Sequence, residues 1–134
     1  MNNGLLKGKK GIIFGALNEK SIAWQVALKA HHQGARLVLT NSPVAVRMGS
    51  ISELAALTSS KLVVADATSM VDIDRLVSES LQIFGGRFDF VLHSIGMSPN
   101  VRKDIPYENT SYENMLKTLD ISALSFHRIL QTCY

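Results

Sequence analysis

The sequence predicts an α/β protein built on a doubly wound parallel sheet. Three observations carry that prediction. Short apolar runs alternate strictly with helical stripes along the 134 residues. Each connection between runs is long enough to bring the chain back to the same end of the sheet, as parallel strands require. The second to fourth runs are near-continuously apolar, the pattern of strands covered on both faces.

Each element has its own signal. The first strand is expected over 11–14, Gly-Ile-Ile-Phe. A helix over 21–33 follows, with Ile22, Val26 and Ala30 on the face expected to be buried and Gly34 as its stop. The second strand is Arg-Leu-Val-Leu-Thr, 36–40. A loop through Pro43 leads to a helix over about 49–58, with Ile51, Leu54 and Ala55 spaced for burial. The third strand is expected over 61–65. Thr68 or Ser69 can cap the next helix, whose Ile73, Leu76, Val77, Leu81 and Phe84 form one stripe ended by Gly85-Gly86. The fourth strand, 88–93, is apolar but for Asp89, and a polar loop covers 94–109. Thr110-Ser111-Tyr112-Glu113 reads as a capping box for a last helix with Leu116, Leu119, Ala123, Phe126 and Leu130 on its buried face.

Composition narrows the class. Hydrophobic residues at 46% and charged residues at 19% exclude a disordered segment and support a single domain, 1–134, with a real core. No apolar run is long enough for a membrane span. Met1-Asn2-Asn3-Gly4-Leu5-Leu6-Lys7 has no apolar signal-peptide core, so a cytoplasmic protein is expected. Cys133 is the single cysteine and cannot form an intrachain disulfide, and no Cys/His group has zinc spacing, so no metal is expected. The net charge of +3 is scattered, without the dense basic stripe that binding nucleic acid requires.

The junction from strand to helix at Gly15 carries the functional signal. It brings backbone N–H groups and the positive end of a helix dipole to one point, which suits a bound pyrophosphate. In such a sheet ligands bind at the carboxyl ends of the strands, near the reversal of strand order. Four segments therefore matter: Gly15-Ala16-Leu17-Asn18, Thr40-Asn41-Ser42, Ala65-Asp66-Ala67 and His93-Ser94-Ile95-Gly96. The first turn lacks the second and third glycines of G-x-G-x-x-G, so a plain strand–helix turn, with Ser21 as a cap, stays open. No acid ends the second strand; Thr40-Asn41 and then Arg47 stand there. Asp66 reads equally as a partner of the adenine amino group or as a turn residue. His93 reads as a satisfied strand-end histidine, His31, His32 and His127 as structural, Asp120 as a solvated helix residue, and Cys133 as a buried one. Lys117, five after Tyr112, falls off its helical face, so no Tyr/Lys proton-donor pair is found and no catalytic residue is assigned.

Four segments together resemble the N-terminal part of the NADH-dependent enoyl-acyl-carrier-protein reductases, in the short-chain dehydrogenase/reductase superfamily. Gly15-Ala16-Leu17-Asn18-Glu19-Lys20-Ser21-Ile22-Ala23-Trp24 is similar to the family's nucleotide loop, with Ser-Ile-Ala replacing Gly-Ile-Gly. Ala65-Asp66-Ala67 resembles its adenine pocket, His93-Ser94-Ile95-Gly96-Met97-Ser98 its nicotinamide and substrate wall, and Asp120-Ile121-Ser122 its central helix. The stretch from Leu39 to Gly49 looks like the Bacteroidetes-type branch. The resemblance covers nearly the whole chain and about half a typical member; the family's active-site tyrosines and lysine match nothing here.

The resemblance implies the first half of a Rossmann-type sheet, in order β-α-β-α-β-α-β-α, forming a truncated dinucleotide-binding domain. It implies NADH as cofactor, an enoyl substrate carried on acyl carrier protein, and a homotetramer. Gly15, Ser21 and Ile22 would contact pyrophosphate, and Asp66 and Ala67 adenine. Ser94, Ile95 and Gly96 would pass beside the ribose and nicotinamide, and Met97 and Ser98 would line the acyl site. The alternatives are a non-catalytic dinucleotide-binding fragment, another short-chain dehydrogenase/reductase, or a methyltransferase, against which the missing acid after the second strand argues. The fourth strand is expected at the sheet edge, and the isolated chain is expected to be marginal, associating or partly disordered.

Overall fold

The computed structural model describes residues 4–101 and 104–134. Residues 1–3 of the N-terminal segment, and Arg102 and Lys103 of the loop expected over 94–109, lie outside the described residues. Four parallel strands, β1 (Lys10–Phe14), β2 (Arg36–Thr40), β3 (Lys61–Leu62) and β4 (Phe90–His93), form one sheet in the order β3-β2-β1-β4. β4 is at an edge, as expected, and its residues are half-buried. The third strand is shorter than the expected 61–65. Its path continues as single bonds, Val63 N–H to Leu39 O at 2.9 Å and Ala65 N–H to Asn41 O at 3.1 Å.

The alternation of side chains along β1 splits the core into two layers. Ile13, Leu37 and Leu39 point to one face, against α1 (Ile22–His32) and α3 (Ile51–Leu57). Ile12, Phe14, Val38, Val63 and Ala65 point to the other, against α4 (Met70–Phe84) and α6 (Ser125–Cys133). Ser69, the second of the two expected caps, starts α4 by accepting from Asp72 N–H, and Gly85 ends it in the left-handed region (φ 68°) that glycine adopts without penalty.

Several expectations are corrected. Ile22 is not on the buried face of α1 but 75% exposed; Ala30 is buried as expected, Val26 is partly buried, and Ala23, Trp24 and Ala27 complete the packed face. Three of the four buried residues are alanines, small enough for α1 to lie close on the sheet, with Trp24 packed beside them. Pro43 is not in a loop but opens a short helix, α2 (Pro43–Met48), behind the Ser42 cap. The last helix is capped by Ser111, one residue later than the box proposed, with Asn114 as the donor. Its expected stripe is not a buried face: Leu116, Leu119, Phe126 and Leu130 are 44–49% exposed, and Ser125 and Ile129 are the buried members of α6. A π-turn, Asp120–Leu124, separates α5 (Tyr112–Leu119) from α6 and shifts the helical phase between them. Leu81, also expected in a buried stripe, is 38% exposed. Among the described residues no helix is long and apolar enough to cross a membrane.

Candidate coenzyme site

The register aligns Phe14 with Thr40 on one side and with His93 on the other, so the loops after β1, β2 and β4 leave from one rim. The chain runs outward from β1 to β2 and β3, then crosses back to β4 on the opposite side of β1. The reversal of strand order therefore falls between β1 and β4, where an open α/β sheet forms its crevice.

Gly15 stands at that point with φ 98°, and a Cβ added there would lie 1.9 Å from Ser94 O. Only glycine allows the two loops to approach this closely. Further bonds link the rim together. Gly15 N–H donates to Thr40 O at 3.3 Å, Asn41 Nδ2 to Ala16 O at 2.9 Å, and Ser50 N–H to Leu17 O at 2.8 Å. The loop after β3 joins through Ala65 N–H to Asn41 O. The four loops singled out in the sequence thus converge along one edge.

Ser21 shapes the first of them. Its Oγ accepts from Leu17 N–H at 3.0 Å and Asn18 N–H at 3.1 Å, so it tethers the loop rather than capping α1 in the usual way. Ser21 N–H is itself taken by Asn18 O, at 2.9 Å. Trp24 and Gln25 are the first α1 amides bonded back, both to Ser21 O, so the Ile22 and Ala23 amides stand at the helix mouth. The first turn carries no acidic side chain to compete with an anion there.

Asp66 sits in a turn: its Oδ1 accepts from Thr68 N–H at 2.8 Å and Thr68 Oγ1 at 2.7 Å, and its own N–H donates to Asp72 Oδ2. Ala67 is buried beside it. His93 is satisfied, as expected, by a 2.8 Å bond between Nε2 and Ser125 Oγ, and its ring meets Phe126 edge-on at 5.4 Å. Burial pulls its pKa below the usual histidine value. Ile95 packs against the core, and Gly96 is exposed. Met97 is bonded to Ser122 at both backbone groups. Asp120, expected to be simply solvated, is ion-paired with Arg128, and Cys133 is half-buried rather than buried.

Asn41 and Ser122 stand in segments the sequence singles out, without a role given to their side chains, and Asn100 and Ser125 are builders of the rim that the sequence did not single out. Asn100 is 5% exposed, and its Oδ1 accepts from Ser111 N–H and Asn114 Nδ2, holding the loop to the start of α5. An asparagine directly after Ser98-Pro99 is the signal the sequence offers. A surface groove of about 530 Å³ lies on the outer side of α1 and meets the loop after β1 at Lys20, Ser21 and Ile22. The crevice at Gly15 and Ser94 is the better candidate, because topology and backbone amides meet there.

A family model described as enoyl-(acyl carrier protein) reductase matches residues 15–134. The chain belongs to this reductase family. It is 34% identical over 127 residues to the enoyl-[acyl-carrier-protein] reductase [NADH] 2 of Rhizobium meliloti, covering 95% of this chain and 47% of that one. The structure is similar to the FabI–NADH complex of Alistipes finegoldii, with TM-score 0.94 and 56% identity over 96% of this chain and 46% of that one. This agrees with the expected Bacteroidetes-type branch. A reductase of Anaplasma phagocytophilum in complex with NAD gives TM-score 0.86 at 31% identity, over 99% of this chain and 51% of that one. The chain spans about half the length of the reductases it matches.

Proposed function

We propose that this chain forms the coenzyme-binding half of an NADH-dependent enoyl-acyl-carrier-protein reductase. The reaction is reduction of the trans-2 double bond of an acyl chain carried on acyl carrier protein. The observation that carries the reading is the contact between Gly15 and Ser94 at the reversal of strand order, beside the open helix mouth of α1. The reading also draws on the likeness to a reductase solved with NADH.

Bound NADH supplies the hydride. The residues here bind and orient. Gly15 gives its backbone to the pyrophosphate, the place of its missing Cβ being filled by Ser94 O, and the Ile22 amide and the Ser21 hydroxyl face the anion at the helix mouth, where the dipole favours it. Asp66 and Ala67 receive the adenine. Ser94, Ile95 and Gly96 flank the ribose and nicotinamide, with Gly96 leaving their path open. Met97 and Ser98 line the acyl chain. A single domain over 1–134, assembly as a homotetramer and a cytoplasmic location belong to the same reading.

Titration with NADH and, separately, with S-adenosylmethionine tests it. Binding of NADH alone, with oxidation of NADH when the whole reductase is given a crotonyl thioester, is the expected result. Preference for S-adenosylmethionine, or no NADH binding, overturns it.

A further inference from the structure

The helical stretch from the α5 cap to α6 grips the end of β4 and the loop after it at three points. His93 meets Ser125, Met97 meets Ser122, and Asn100 meets Ser111 and Asn114. The middle grip differs in kind. Ser122 Oγ accepts from Met97 N–H at 3.0 Å and donates to Met97 O at 3.1 Å, so one hydroxyl satisfies both polar groups of one residue's backbone. Fixing both groups fixes the direction in which that residue's side chain leaves the loop.

The π-turn is what presents Ser122 and Ser125 together. In a regular α-helix Ser125 N–H would bond Ile121 O, four residues back. Here it bonds Asp120 O, five back, and the Ser125 hydroxyl fills the vacated Ile121 carbonyl at 2.7 Å. The hydroxyl proton is then committed to Ile121, so His93 donates its Nε2 proton to Ser125 Oγ. Ser125 is fully buried, and its hydroxyl therefore both replaces the missing main-chain bond and ties the turn to β4. Single π-turns inside helices are frequent at functional sites because they turn side chains out of the regular phase.

We propose that Ser122 is a positioning residue for the acyl-binding wall: its hydroxyl, brought round by the π-turn, sets the Met97 backbone and so the wall that Met97 gives to the enoyl chain. The inference rests on the functional reading above. It predicts that Ser122 governs the fit of the enoyl substrate more than that of the coenzyme, whose pyrophosphate end is held by Gly15 and α1.

The test is steady-state kinetics of the whole reductase with NADH and a crotonyl thioester, comparing wild type, Ser122→Ala and Ser122→Thr, together with hydrogen exchange at the Met97 amide. Ser122→Ala, which removes both bonds, should raise KM for the thioester at least about fivefold, the low end for two net hydrogen bonds, while the NADH dissociation constant stays within about twofold. The Met97 amide should lose protection. Ser122→Thr, which keeps the hydroxyl, should restore thioester KM and Met97 protection. Unchanged thioester KM in Ser122→Ala overturns the proposal. So does a parallel loss of NADH affinity, thioester affinity and melting temperature, which marks a merely structural serine. A wild-type protein that neither binds NADH nor reduces the thioester overturns the functional reading and this inference with it; a working reductase indifferent to Ser122→Ala overturns this inference alone.

Discussion

Replacing Gly15 with alanine tests the crevice directly. The new Cβ would stand 1.9 Å from Ser94 O and 2.7 Å from Ser94 C, both backbone atoms. Neither atom can swing aside as a side chain would, so the two loops must part by roughly 1 Å or more, with overpacking of this kind typically costing about 1–3 kcal/mol. The backbone at φ 98° adds a strain of about 1–3 kcal/mol for any residue with a side chain. Opening the crevice also moves Ser94 away from its proposed place beside the ribose, and NADH affinity should fall at least about tenfold, equivalent to roughly 1.4 kcal/mol. Fluorescence titration with NADH measures that loss, and urea unfolding measures the strain. Gly85→Ala is the control: Gly85 also has positive φ, 68°, but a Cβ there meets nothing within 4 Å. It should cost stability alone, about 1 kcal/mol, and leave NADH affinity intact. If Gly15→Ala binds NADH as tightly as Gly85→Ala does, the crevice is not where the coenzyme lies.

Two more outcomes follow from burial and charge. Ile73→Ala empties a fully buried site between α4 and the sheet and should cost about 2–5 kcal/mol in urea unfolding, whereas Ile22→Ala, at a side chain 75% exposed, should stay within about 0.5 kcal/mol. Burial lowers the folded-state pKa of His93, so the unfolded chain takes up the proton first; stability should be full above about pH 6.5 and fall as the pH drops through the lowered folded value. His93→Gln should flatten that part of the urea midpoint against pH, and an unchanged slope would refute the assignment to His93.

The alternation of strands and helices was legible because it needs only periodicity and turn residues. The rim loops were legible for a related reason: in a parallel sheet the carboxyl ends of all strands must share one edge, so naming the strands names the loops. What stayed hidden depends on tertiary choice. Ile22 starts an apolar stripe with Val26 and Ala30 as regular as that of Ala23, Ala27 and Ala30, and only contact with the sheet leaves Ile22 outside and brings Ala23 and Ala27 in. Pro43 reads as a loop residue or as a first helical residue, and Ser42 before it was the overlooked sign of the latter. The π-turn has no periodic signature, so a continuous stripe from Leu116 to Leu130 was drawn across a break in phase. The serines that create and use that break looked like weak helix formers. Their hydroxyl bonds, Ser125 to Ile121 and Ser122 to Met97, are the reason they are tolerated inside a helix. Asp66 marks a different limit, since a turn aspartate and an adenine partner have the same sequence appearance; its Oδ1 is engaged by Thr68 in the turn, and the adenine contact belongs to the proposed reading.

Backbone amide NMR of this chain during titration with NADH tests the central claim most directly. The account predicts that Gly15, Ile22, Ala67 and the run Ser94-Ile95-Gly96 shift together, at one ligand concentration, although they belong to three separate loops. Shifts confined to a single loop, or centred on Val26 and Lys29 in the outer groove of α1, would contradict it.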